Sequence, residues 1–163
     1  MVSKADFTPE EWKTVLSSPM LASMAVTLAE PSGLWGILKE GMASGRALLD
    51  ASNDANASGI AKAIVADIGD AAGRTDAREA MKAQFSGKSP EEMKRQILVG
   101  LSEAARVVDA KAPAEARAFK AWLVDLARKV AEASSEGGFL GFGGVKVSDA
   151  EKASIADVER ALA

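Results

Sequence analysis

The chain is expected to fold as a single all-α domain, a compact bundle of about eight helices. Three observations predict this. Capping residues mark helix starts along the whole sequence, and apolar residues recur between them at the helical period. The hydrophobic fraction of 48% is mostly alanine and aliphatic residues, with 5% aromatic and no tyrosine. Such an inventory suits closely packed helices, whereas sheets draw on β-branched and aromatic side chains. A chain of 163 residues supplies one core and is short for two ordinary domains, so residues 1–163 read as one unit.

The first start is Thr8-Pro9-Glu10-Glu11: a capping hydroxyl, a proline at the first helical position and a glutamate three residues after the cap. Ser18-Pro19 has the outline of a second start. It predicts a short first helix carrying Trp12 and a separate one through Met24, Ala25 and Leu28. Glu30-Pro31-Ser32-Gly33 then breaks the chain. A helix is expected over 34–50, with Ile37, Leu38, Met42, Gly45 and Leu49 near one face. After a small, polar loop at 51–59 comes a helix through Ile60, Ile64 and Ile68, and Thr75 caps another through Ala77, Met81 and Phe85. Ser89-Pro90-Glu91-Glu92 repeats the full capping signature and opens a long amphipathic helix with Met93, Ile97, Leu101, Ala104 and Val108. A second long helix, beyond Pro113, carries Phe119, Trp122, Leu123, Leu126 and Val130. These two are expected to form an antiparallel pair at the centre of the bundle. Ser148-Asp149-Ala150-Glu151 starts the last helix, with Ile155, Val158 and Leu162 on its apolar face.

Before that last helix lies the most distinctive segment, Glu136-Gly137-Gly138-Phe139-Leu140-Gly141-Phe142-Gly143-Gly144, which holds five of the fourteen glycines. Glycine allows close backbone approach, while Phe139, Leu140 and Phe142 need an apolar contact. A turn of this make-up suits a fitted site or joint. It has a faint echo: Val26-x-x-Ala29-x-x-Ser32-Gly33-x-Trp35 resembles Val130-x-x-Ala133-x-x-Glu136-Gly137-x-Phe139 at a constant offset. Both are helix ends running into glycine and a large aromatic.

The chain has no histidine and no cysteine. That excludes disulfides, thiolate metal sites, histidine-dependent di-iron and zinc centres, and Ser-His or Cys-His catalysis. No metal and no cofactor is expected. Ser86-Gly87-Lys88-Ser89 resembles the end of a phosphate-binding loop, but Lys82 stands where its first glycine belongs, and a helix cap accounts for the segment. Asp50-x-Ser52-x-Asp54 opens like a calcium loop but has Ala55 and Ala61 where glycine and the bidentate glutamate are needed.

Net charge is −3, with a local excess of twelve Lys/Arg over eight Asp/Glu across residues 74–129. The positives are interleaved with acids, which reads as a solvated face and argues against a nucleic-acid partner. No apolar stretch approaches the roughly 20 residues of a membrane span, and no secretory leader is recognisable, so a cytoplasmic protein is expected.

The leading function is a non-catalytic binding or assembly module that uses the turn 136–144 to hold a protein partner segment or a small ligand. Its candidate residues are Trp35, Glu40, Glu136, Gly137, Gly138, Phe139 and Phe142. The alternative is an enzyme: if the two glycine-aromatic turns meet, Glu40 and Glu136 flank a pocket walled by Trp35, Phe139 and Phe142, where acid/base chemistry becomes available. A homo-oligomer is compatible with either reading. Elemental analysis of the purified protein is expected to find no stoichiometric iron or zinc, because neither imidazole nor thiolate exists to hold them. Either metal bound one-to-one through protein groups contradicts that expectation.

Overall fold

The structure, a computed structural model, describes residues 2–29, 58–70, 75, 85, 87–135 and 147–163. These residues are mostly helical, with no strand among them. A 3₁₀ turn at Lys4–Asp6 precedes five α-helices: α1 (Pro9–Thr27), α2 (Gly59–Gly69), α3 (Pro90–Lys111), α4 (Pro113–Ser135) and α5 (Asp149–Leu162). The helices expected over 34–50 and through Met81 lie outside the described residues.

Three helix starts carry the reciprocal cap their sequences specify. The Glu11, Glu92 and Glu151 amides donate to the hydroxyls of Thr8, Ser89 and Ser148, at 3.2, 3.3 and 3.1 Å. Each glutamate in turn accepts from the amide of its capping residue, at 2.8, 3.0 and 2.8 Å. Two otherwise orphaned donors are satisfied at each start. Ahead of Ser89, Gly87 adopts φ +75°, a left-handed conformation that glycine takes without strain. Of the segment that resembles a phosphate loop, Gly87 is thus a turn residue and Ser89 a helix cap.

The architecture is a V closed on its open side. α3 and α4 are joined by the single buried residue Ala112, and Asp109 and Lys120 pair across the corner at 2.8 Å. Near the tips of the arms, Lys94 of α3 pairs with Asp157 at 2.8 Å and Arg128 of α4 with Glu159 at 2.6 Å, so α5 links both arms. α1 lies between them. It starts at the corner, where Glu11 meets Lys111 at 3.2 Å, and packs against α2, α3, α4 and α5. The central element is therefore α1, and the expected central pair α3 and α4 forms its walls. α2 lies over the corner, packed on α1 and α4.

α1 also corrects the expectation of two helices before residue 30: it runs unbroken through Pro19. Proline has no N–H, so the Val15 carbonyl loses its usual donor one turn on, a defect that costs roughly 3 kcal/mol in a helix interior together with the ring clash. The Ser18 hydroxyl repairs it by donating to the Val15 carbonyl at 2.7 Å. Val15 and Ser18 are both 0% exposed, so water has no access to that carbonyl. Had Ser18 been a cap, its oxygen would accept from an amide ahead of it; here its hydrogen points back. Ser23 and Thr27 continue the pattern, donating to the carbonyls of Pro19 at 2.9 Å and Ser23 at 3.1 Å.

Around α1 the core takes Phe7, Trp12, Val15, Leu16, Leu21 and Val26 from its own segment and Ile60, Ile64, Ile97, Leu101, Val108, Phe119, Leu123, Val130 and Val158 from the others. The apolar stripes expected on α3, α4 and α5 face this core. Trp122 is half-buried beside Phe119, with ring centroids 6.2 Å apart.

Ser18→Ala is expected to destabilise the protein by about 1–3 kcal/mol, the cost of a buried carbonyl left without a donor. With Pro19→Ala restoring a backbone N–H, the same serine substitution should cost less than about 0.5 kcal/mol. A double-mutant cycle by denaturant unfolding measures the coupling, and equal costs in both backgrounds refute the repair.

Candidate functional site

The residues marked by the sequence, Trp35, Glu40, Glu136, Gly137, Gly138, Phe139 and Phe142, all lie outside the described residues. What the structure defines is their frame. Segment 136–144 follows the end of α4, in whose last turns Val130 and Ala131 are fully buried. Beyond it the chain rejoins the bundle at Val147, packed on the core, and Ser148, whose cap closes on a Glu151 that is itself buried. The segment leading to Trp35 departs from the end of α1, where Val26 is buried and the Leu28 amide donates to the Met24 carbonyl at 3.0 Å. α1 and α4 both start at the corner and line the core along their lengths, so residues 29 and 135 both belong to the end away from it.

The corner end holds a second set of polar groups, joined across long sequence separations. The Trp12 indole Nε1–H donates to Asp67 Oδ2 at 2.7 Å, and Lys4 Nζ reaches the same carboxylate at 3.0 Å. Phe7 covers the indole, with ring centroids 5.6 Å apart. Trp12 is thereby a core residue with a satisfied N–H rather than the wall of a ligand pocket. At the other end of α2, the Ile60 amide donates to Glu115 Oε2 at 2.9 Å and the Ala61 amide to Ser58 Oγ at 3.1 Å. Gly59 lies close to the same carboxylate: a Cβ there would stand 2.9 Å from Glu115 Oε1, and the glutamate side chain would have to shift.

These groups are fasteners. Burial opposes ionisation of Asp67, but the indole N–H and the Lys4 ammonium outweigh it and hold the carboxyl below its ordinary value. Asp157 is held low chiefly by its hydrogen bond from Lys94, and Asp6, Glu11 and Glu92 by the backbone amides they cap. A carboxyl kept ionised in this way suits a tie and is poorly placed to donate a proton as a general acid.

Asp67 and Glu115 were not singled out by the sequence, because each acts on a residue 55 positions away. One signal was present for Asp67. A carboxylate in the last turn of a helix faces the negative end of the macrodipole, and α2 has no basic residue there to offset it. Such an acid needs a donor from elsewhere in the fold.

On the basic stretch, Lys94, Lys111, Lys120, Arg128 and Lys129 each pair with an acid. Among the described residues, no helix is long and apolar enough to cross a membrane. No protein-family profile, curated protein or solved structure matches the chain.

Trp12→Phe removes the indole donor while keeping most of the ring. The substitution should cost about 2 kcal/mol at neutral pH, in the range of hydrogen bonds to charged groups. Because Asp67 is held below its ordinary value, near 3.9, its contribution is present above that pH and is lost as pH falls through the lower folded value. The difference between the two proteins should therefore shrink in acid. Urea melts at neutral and acid pH test this, and a cost that does not change with pH refutes it.

Proposed function

We propose that the chain is a non-catalytic binding or assembly module whose working surface is the turn 136–144, joined by the segment around Trp35 and Glu40. The occupant in this reading is an apolar protein segment or small ligand seated against Phe139, Phe142 and Trp35, with Glu40 and Glu136 at the rim. The observation that carries it is that α1 and α4 both start at the corner, so that their far ends, from which the chain continues into the two glycine-aromatic segments, both lie away from it. The firm anchoring of the turn at Val130 and at the Ser148 cap adds support, since a surface on glycines needs rigid ends to keep a shape. The helices expected over 34–50 and 75–85 belong to the same single domain in this reading, and the cytoplasm is its expected location.

Phe139 aligns with Trp35 in the echo and is assigned the anchoring role, with Phe142 the contact to the occupant. Phe139→Ser is then expected to cost roughly 3–5 kcal/mol, as for a buried ring, and Phe142→Ser only about 0.5 kcal/mol. Denaturant melts of the two single variants measure this. Large, equal losses would make the turn a structural plug and end the proposal.

A further inference from the structure

We infer that α2 is a latch, a helix that undocks from the corner as a unit while α1, α3, α4 and α5 stay folded. The reasoning starts from how its ends are tied. α1, α3 and α5 each carry their own capping glutamate three residues after the cap, so those helix starts are satisfied within the helix. In α2 that position is Ala61, which has no carboxylate. The Ser58 hydroxyl still caps the Ala61 amide, and the carboxylate at this start comes from outside the helix, Glu115 of α4 accepting from the Ile60 amide.

At the other end, Asp67 spends its carboxylate on Trp12 of α1 and Lys4 of the N-terminal turn. The carboxylate ties at both ends are thus tertiary, and undocking removes both together. α2 cannot keep them as a free helix, and with 11 residues it is shorter than the roughly 12–15 at which an isolated helix becomes even marginal in water. Docking and folding of α2 are consequently one step.

The number of helices that hold it sets where that step lies. α2 buries three apolar residues, Ile60, Ala61 and Ile64, against eight in α1 and two in α5. Ala63 and Ile68 are half-buried, and Lys62 and Asp70 face solvent. Among the described α-helices α2 is the shortest and packs chiefly on two neighbours, α1 and α4, whereas α5 packs on three, so α2 is the one expected to open first. Opening uncovers the Trp12 indole, Ile60 and Ile64 at the corner, while the ion pairs Asp109–Lys120, Lys94–Asp157 and Arg128–Glu159, which close the V, stay intact.

Native-state hydrogen exchange on the full chain, read residue by residue, tests the latch directly. Amides from Ile64 to Ile68 should exchange through an opening that leaves Leu101, Leu123 and Val130 protected. Glu115→Gln, which keeps the side chain's size but removes its charge, should raise exchange in α2 about 10-fold with little change in α3, in keeping with a weakened charge-assisted hydrogen bond. Trp12→Phe should act in the same direction from the other end. If wild-type α2 amides exchange only with the global unfolding of α1 and α3, at the same denaturant dependence, α2 is an integral part of the core and the latch is refuted. The same conclusion follows if Glu115→Gln accelerates all helices equally.

Discussion

The fold turns on the cost of burying a helix from every side. α1 is uncharged from Thr14 to Ala29 and buried almost continuously from Val15 to Thr27, so no face of it is left for water to solvate a stray backbone group. A proline at its midpoint would ordinarily forbid that position. The Ser18 hydroxyl lifts the prohibition by taking the carbonyl that Pro19 leaves without a donor. Once α1 can occupy the centre, α3, α4 and α5 each need only one apolar face, which is the pattern their sequences carry. Small residues on α1, among them Ser18, Ala22, Ser23 and Ala25, leave room for its neighbours to come close.

Carboxylates then do most of the joining. Glu11 both closes its own helix start on Thr8 and meets Lys111, so a local cap also locates the beginning of α1 against the end of α3. Glu115 sits in the first turn of α4, where the positive end of that helix favours it, while its oxygen serves the start of α2. Asp157 faces both Lys94 and Arg160, linking α5 to α3. Exposed ion pairs alone add little stability, but pairs set beside caps and buried rings fix which helix end meets which. That division explains how a chain with few aromatics specifies its arrangement: apolar area supplies the drive and the acids supply the register.

Much of the fold was legible in the sequence because capping boxes and the helical period are local. Thr8, Ser89 and Ser148 begin helices as their neighbours predict, and the stripes of α3, α4 and α5 face the core. Pro19 was misread for an equally local reason. A serine followed by proline is both a cap with proline at the first helical position and a helix interior with its own repair, and the two differ only in which way the hydroxyl hydrogen points. The distinguishing feature was nearby: position 21 is a leucine, where Thr8 and Ser89 each have a glutamate three residues on. The central place of α1 was hidden by its weak amphipathicity, since a helix buried all round shows no polar face to orient it. The Trp12–Asp67 and Ile60–Glu115 contacts were illegible because nothing local ties residues 55 apart. For the candidate site, composition identified a segment, and its residues lie beyond those the structure describes.

The allocation of polar groups bears on where function resides. A binding surface needs groups that the fold does not already consume, and at the corner the carboxylates are consumed. Asp67 is held by an indole and an ammonium, Glu115 by a backbone amide, Glu11 by a cap and a lysine. Recruiting any of them to a ligand would first break a helix end. The glycine-rich segment 136–144 differs in kind in its sequence, where Phe139, Leu140 and Phe142 are interspersed with glycines. Between α4 and α5 the sequence places a run of glycines and aromatics instead, a composition unlike that of the helix ends the acids fasten. The binding role proposed for that segment draws on apolar groups and backbone, and so leaves every carboxylate fastener of the corner in place.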